Sequence, residues 1–104
     1  MESLLFRFEH GQRKAVQDAQ LVGVVSSGNL EVLIAPAELD AGCEIAIQTA
    51  AQGFSPIWRA VMEDFHLRWQ LADIRIEIND MGATPAVVSL RLDQAVEAYL
   101  EHAK

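Results

Sequence analysis

Hydrophobic residues recur along this chain with two different periods, and the change of period divides it into elements. Leu4, Phe6 and Phe8 alternate with Leu5 and Arg7, which predicts a strand over Leu4–Phe8. Gly11 to Gln20 is polar and reads as a loop. In Val24-Val25-Ser26-Ser27-Gly28-Asn29-Leu30-Glu31-Val32, two β-branched runs flank a four-residue polar break from Ser26 to Asn29. That pattern predicts a hairpin of strands Leu21–Val25 and Leu30–Ile34, with the serines at an exposed tip. Leu30, Val32 and Ile34 share one face, Glu31 lies on the other, and Ala35-Pro36 ends the strand. After a turn at Ala41-Gly42, Cys43, Ile45, Ile47 and Thr49 alternate with Glu44, Ala46 and Gln48, giving a strand with one wet face.

From Ser55 the period lengthens. Ser55 is a good N-cap and Pro56 suits the first turn. Ile57, Val61 and Phe65 recur every four residues, and Trp58, Met62 and Trp69 widen that stripe into a helix of about four turns. Asp73–Asn79 returns to period two, with Ile74, Ile76 and Ile78 inward and Arg75 and Glu77 outward. Asp80-Met81-Gly82-Ala83 is a turn. Thr84 caps a second helix with Pro85 at its first position and Val88, Leu92, Ala95, Val96 and Tyr99 as its apolar stripe. The order is ββββαβα. It predicts a single α+β domain over residues 1–104, built in two layers: a mostly antiparallel four- to five-stranded sheet with two helices packed on one face.

Composition narrows the partners. At 104 residues, 51% hydrophobic and 22% charged, the chain is long enough to bury a modest core and too apolar to be disordered. No apolar run approaches the roughly 20 residues of a membrane span, and the N-terminus has no secretory pattern. One cysteine, Cys43, excludes an internal disulfide and fits the cytoplasm. The net charge is −7, and between Asn29 and Asp64 Arg59 alone opposes Glu31, Glu38, Asp40, Glu44, Glu63 and Asp64. Such a surface repels nucleic acid and anionic lipid, and suits a basic protein surface or simply solubility.

Candidate chemistry is sparse. Ser26 and Ser27 are ordinary turn residues as well as hydroxyl donors. A hydrolase nucleophile needs a base and an oxyanion site, and no Gly-x-Ser-x-Gly is present. His10, His66 and His102 lack zinc-ligand spacing. His66 sits one position off the apolar stripe and reads as a boundary residue; His102, in the last helical turn, suits the helix dipole. Cys43, in phase with Ile45 and Ile47, reads as core, and Trp58 and Trp69 as core or interface. Asn79 and Asp80 could pass for a metal site, but they more simply set up the turn into Gly82. Gly28 and Gly82 are isolated, so no phosphate-cradling loop exists.

Two segments carry a family resemblance. Ser27-Gly28-Asn29-Leu30-Glu31-Val32 resembles the attachment motif of the malonate decarboxylase acyl carrier protein (delta subunit) family. Asp73-Ile74-Arg75-Ile76-Glu77-Ile78-Asn79-Asp80-Met81-Gly82-Ala83-Thr84-Pro85, followed by Val87-Val88-Ser89-Leu90-Arg91-Leu92, is similar to a second block of it. The likeness runs from about Leu21 onward; Asn29 stands where an aspartate is common. The citrate lyase acyl carrier (gamma) subunit is more distantly similar.

The resemblance implies a carrier without catalytic residues of its own. Ser27 would hold 2′-(5″-phosphoribosyl)-3′-dephospho-coenzyme A through a phosphodiester, with Ser26 the lesser candidate. The arm's thiol would carry acetyl and malonyl thioesters between an acyl transferase (alpha) subunit and decarboxylase (beta, gamma) subunits, after loading by a prosthetic-group transferase. Charge alone nominates Glu31 and the acids from Glu38 to Glu44 for contact with a basic transferase surface. A citrate-type carrier, and an acidic interaction module without a prosthetic group, are the alternatives.

Overall fold

The computed structural model describes residues 2–14, 23–27, 30–50 and 52–102, with residues 13–14, 23–27 and 100–102 described by backbone alone. Its elements in chain order are β1 (Glu2–Phe8), β2 (Arg13–Lys14), β3 (Gly23–Ser27), β4 (Leu30–Pro36), β5 (Cys43–Thr49), α1 (Ser55–Trp69), β6 (Leu71–Ala72), β7 (Ile74–Asp80) and α2 (Pro85–His102). Five strands form one sheet in the order β1-β5-β7-β4-β3, while β2 and β6 pair separately.

The sheet is mixed. Three of its pairings are antiparallel and one, β5 with β7, is parallel. A parallel pair needs a long crossover, and α1 supplies it by carrying the chain from the end of β5 back toward the start of β7. Period-two burial follows the sequence pattern. Val32, Ile34, Ile45, Ile47, Ile76 and Ile78 lie at 0–1% exposure on one face. Glu31, Glu77 and Gln48 are exposed on the other. Both helices cover the apolar face, α1 beside β1 and α2 over β3 and β4. The second helix matches its predicted stripe: Val88, Leu92, Ala95, Val96 and Tyr99 are all buried. Val87 donates its backbone N–H to Thr84 Oγ1 at 3.3 Å, so Thr84 is the cap.

Several details depart from the sequence reading. The hairpin break is two residues, not four, because Ser26 and Ser27 continue the β3 ladder opposite Glu31 and Leu30. A two-residue connection matches the twist of paired strands better than a longer polar break, and serine's polarity does not prevent its backbone from pairing. Gly28, Asn29, Leu21 and Val22 lie outside the described residues, as does most of the predicted 11–20 loop. Within that loop, Arg13–Lys14 pairs in parallel with Leu71–Ala72. This is a backbone contact that leaves no periodic signal in so short a segment.

The first helix is capped one residue earlier than predicted. Trp58 N–H bonds the Phe54 carbonyl at 3.0 Å, which makes Phe54 the N-cap and Ser55 the first helical residue. Its buried stripe centres on Trp58, Met62 and Phe65, while Ile57 is 44% exposed at the rim. Asp73 precedes β7 in a left-handed conformation (φ 57°), and Asp80 joins the strand. Among the described residues, no helix is long and apolar enough to cross a membrane.

Candidate functional site

Register fixes where Ser27 stands. The backbone pairs Ser27 with Leu30, Leu30 with Asp80, Asp80 with Thr49 and Thr49 with Glu2, so these five residues form one row across one end of the sheet. Ser27 is the last residue of β3, which is an edge strand. Ser26 occupies the next row, with Glu31, Asn79 and Gln48.

The Ser27 end has a definite electrostatic character. The parallel strands β5 and β7 both terminate in its row, and each leads into a helix, so the N-termini of α1 and α2 lie at this end. Neither helix has an acidic residue in its first turn. Helix N-termini carry partial positive charge from unsatisfied N–H groups and the macrodipole. A phosphate is therefore better tolerated here than the net charge of −7 suggests.

Asp80 holds this end together. It is 2% exposed and accepts three hydrogen bonds, from Thr49 Oγ1 at 2.8 Å, Ala83 N–H at 2.8 Å and Gly82 N–H at 3.2 Å. These bonds join the ends of β5 and β7 and set the tight turn into α2, where Gly82 has φ 115°. The turn role anticipated for Asp80 is thus present, with the added part of a buried carboxylate linking two strands. Asn79 lies on the wet face and donates to Glu31 at 3.2 Å.

The acids nominated for docking do not form one surface. Glu31 is exposed near Ser27. Glu38 and Asp40 follow Pro36 at the other end of the sheet, and Glu44 lies near that end in the row of Ala35 and Arg75. At about 3.3 Å per residue, the length of β4 puts them about 20 Å from Ser27. Glu44 is also engaged by Arg75, and by Arg7 at 3.7 Å.

The remaining candidates are structural. Cys43 is 1% exposed, and burial pushes its thiol up to about 12, which makes it unreactive. His66 is half-buried as a boundary residue and stacks on Phe8 with ring centroids 4.6 Å apart. Burial lowers its pKa because the charged ring loses water. His10 is exposed in a left-handed turn, and the His102 side chain lies outside the described residues. Trp58 is core, and Trp69 is half-buried with its indole N–H donated to Asp93 at 2.9 Å. Among the described residues, no three His, Cys, Asp or Glu side chains gather where a metal could sit. The sequence reading missed the burial of Asp80; its only trace was a strand running without interruption into Asp-Met-Gly-Ala.

Comparison with known proteins bears on the same segments. Residues 17–99 match the family model described as malonate decarboxylase delta subunit (MdcD). A malonate decarboxylase acyl carrier protein of Stenotrophomonas maltophilia (strain K279a) is 57% identical over 101 residues, covering 96% of this chain and 95% of that one. Its counterpart in Xanthomonas euvesicatoria pv. vesicatoria (strain 85-10) is 59% identical over 99 residues, with 93% of each chain covered. Among solved structures, a chain from the crystal structure of a Pseudomonas malonate decarboxylase hetero-tetramer in complex with malonate superposes over 100% of both chains, with a TM-score of 0.75 and 32% identity. With a match that includes the Ser27 hairpin and the Asp80 turn, and relatives alike along nearly their whole length, this chain belongs to the malonate decarboxylase delta subunit family and is a carrier rather than a catalytic subunit.

Proposed function

We propose that this chain is the acyl carrier of a malonate decarboxylase complex and that Ser27 is its attachment residue. The observation that carries this reading is the position of Ser27: the final residue of an edge strand, held in register by Leu30, at the sheet end that receives both helix N-termini. A modifying transferase needs a hydroxyl on fixed backbone at the boundary of the fold, and this position supplies one. The residues fit a phosphodiester-linked arm, since neither helix places an acid in its first turn to repel it.

The group we assign is 2′-(5″-phosphoribosyl)-3′-dephospho-coenzyme A, joined through the Ser27 oxygen. When bound, its terminal thiol supplies a thioester for acetyl and malonyl groups. The chain's own part is mechanical. The β3–β4 pairing anchors the base of the arm, and the continuation of that ladder through β7 keeps the base rigid. Tethering raises the concentration of the carried group at each partner site. The partners in this reading are an acyl transferase (alpha) subunit, decarboxylase (beta, gamma) subunits and a prosthetic-group transferase. Glu31, exposed near Ser27, is better placed than Glu38–Glu44 to meet a basic surface of the last of these. A single cysteine, Cys43, buried and free, is in keeping with a cytoplasmic setting.

The test is the intact mass of the protein purified from its native host growing on malonate, with tandem mass spectrometry across Leu21 to Arg59. The expected result is the phosphoribosyl-dephospho-coenzyme A adduct on Ser27. A bare Ser27 under those conditions would overturn the reading and favour an interaction module without a prosthetic group.

A further inference from the structure

An apolar pocket of about 280 Å³ opens between the N-terminal turns of the two helices. Phe54, Trp58 and Val61 line it from the side of α1, and Ala83 and Val88 from the side of α2, with Asp80 also in its wall. Phe54 is 47% exposed at its mouth. Gly82 leaves this wall open: a Cβ added there would meet nothing within 4 Å.

We propose that this pocket seats the thioester end of the chain's own prosthetic arm in its acetyl form; the inference rests on the Ser27 reading. Position supports it first. Asp80 is two strands from Ser27 in the same row, about 10 Å at the usual strand spacing. An arm containing a nucleoside, a pyrophosphate and a pantetheine spans more than that. Size supports it next, since 280 Å³ lies just below the range of small-molecule sites, roughly 300–1,000 Å³, and suits a short chain of atoms rather than a nucleotide.

Chemistry then selects the end of the arm and its load. Among the described residues that line it there is no lysine or arginine, so the arm's phosphates find no cationic side chain there. An acetyl thioester adds a methyl group to an apolar space. A malonyl thioester would instead bring a carboxylate against apolar walls and beside the Asp80 carboxylate, with no cationic side chain among the described lining residues to pair it. The seat therefore holds the acetyl form and shelters its thioester from water, and exchange of acetyl for malonyl frees the arm.

The experiment compares amide and indole NMR signals of the full chain in apo, acetyl-loaded and malonyl-loaded forms, the load on Ser27 being verified by intact mass in each sample. The expected result is a shift of the Gly82, Ala83, Val88 and Trp58 signals in the acetyl form that is absent in the malonyl form. Val61→Phe, which fills the pocket, should abolish those shifts and speed hydrolysis of the acetyl thioester several-fold. Ala83→Leu fills it from the other side if Val61→Phe does not fold. Loaded Ser27 with unmoved pocket signals would overturn the seat alone. So would shifts that arise only when other subunits are added, which would make the pocket a partner's docking groove. Equal shifts in the acetyl and malonyl forms would overturn the discrimination. A bare Ser27 overturns the carrier reading and the seat with it.

Discussion

Replacing Asp80 by alanine tests whether one buried carboxylate fixes the Ser27 end of the sheet. The variant loses three hydrogen bonds to a charged acceptor. Hydrogen bonds to charged groups are worth about 1.5–3 kcal/mol each. The Gly82 bond is long at 3.2 Å, and Gly82 is exposed enough for water to replace the carboxylate, so it contributes little. The Thr49 and Ala83 bonds, both 2.8 Å, carry the effect. Removing a buried charge also relieves its desolvation, which offsets part of the loss. The net expected cost is about 3 kcal/mol. Asp80→Asn keeps one carbonyl oxygen for the turn N–H groups and offers its amide to Thr49, so its expected cost is about 1 kcal/mol. Urea unfolding followed by tryptophan fluorescence gives both values. For a domain of this size, the alanine variant should also melt about 12 °C or more below the parent. An alanine variant within 1 kcal/mol of the parent, or one no worse than the asparagine variant, would refute the account of Asp80 as the clasp of this end.

Other predictions follow from groups in the core and loops. Because burial holds the Cys43 thiol protonated up to about 12 against an ordinary 9.0, the unfolded chain releases that proton first. Stability should be full below pH 9 and fall by about 1.4 kcal/mol per pH unit above it, and Cys43→Ala should flatten that slope in urea titrations at pH 8 and 10. His66 is held neutral by burial, so its stabilising contribution is present above pH 6.5 and lost as pH falls below it. His66→Phe should remove that loss in thermal melts between pH 7 and 5. Gly11→Ala should destabilise by more than about 2 kcal/mol, since the new Cβ would collide with the Leu71 carbonyl; calorimetry checks this. Tyr99→Phe should cost no more than about 0.5 kcal/mol and could stabilise, because the buried hydroxyl has no hydrogen-bond partner among the described residues.

Legibility of the fold in the sequence tracked how much of each element faces the core. Cys43–Thr49 was read with its observed bounds, and the stripe from Val88 to Tyr99 residue by residue, because one side of each is buried and burial imposes the period. The pairing of Arg13–Lys14 with Leu71–Ala72 was invisible, since two-residue strands bond through backbone and have no period to show. Ser55 misled because capping preference is a tendency of residue type, whereas the first helical bond here goes to the Phe54 carbonyl. The candidate site is legible only in part. The hairpin marks Ser27 as a candidate, but the row that joins it to Asp80 depends on β7 pairing between β4 and β5, and no local pattern encodes a pairing between segments about fifty residues apart in sequence.

The central place of β7 has a consequence for how the protein is made. Every strand of the main sheet is complete by Thr49 except the one that joins them. Without β7, the β3–β4 hairpin and the β1–β5 pair are separate two-stranded pieces, each too small to be stable alone. Their inner edges stay open until β7 leaves the ribosome and closes both at once, and α2 can cover the apolar face only after that. Such edges invite pairing with other chains. The main sheet is therefore continuous only once β7 is in place. A chain truncated before β7 cannot join the Ser27 hairpin to the rest of the sheet.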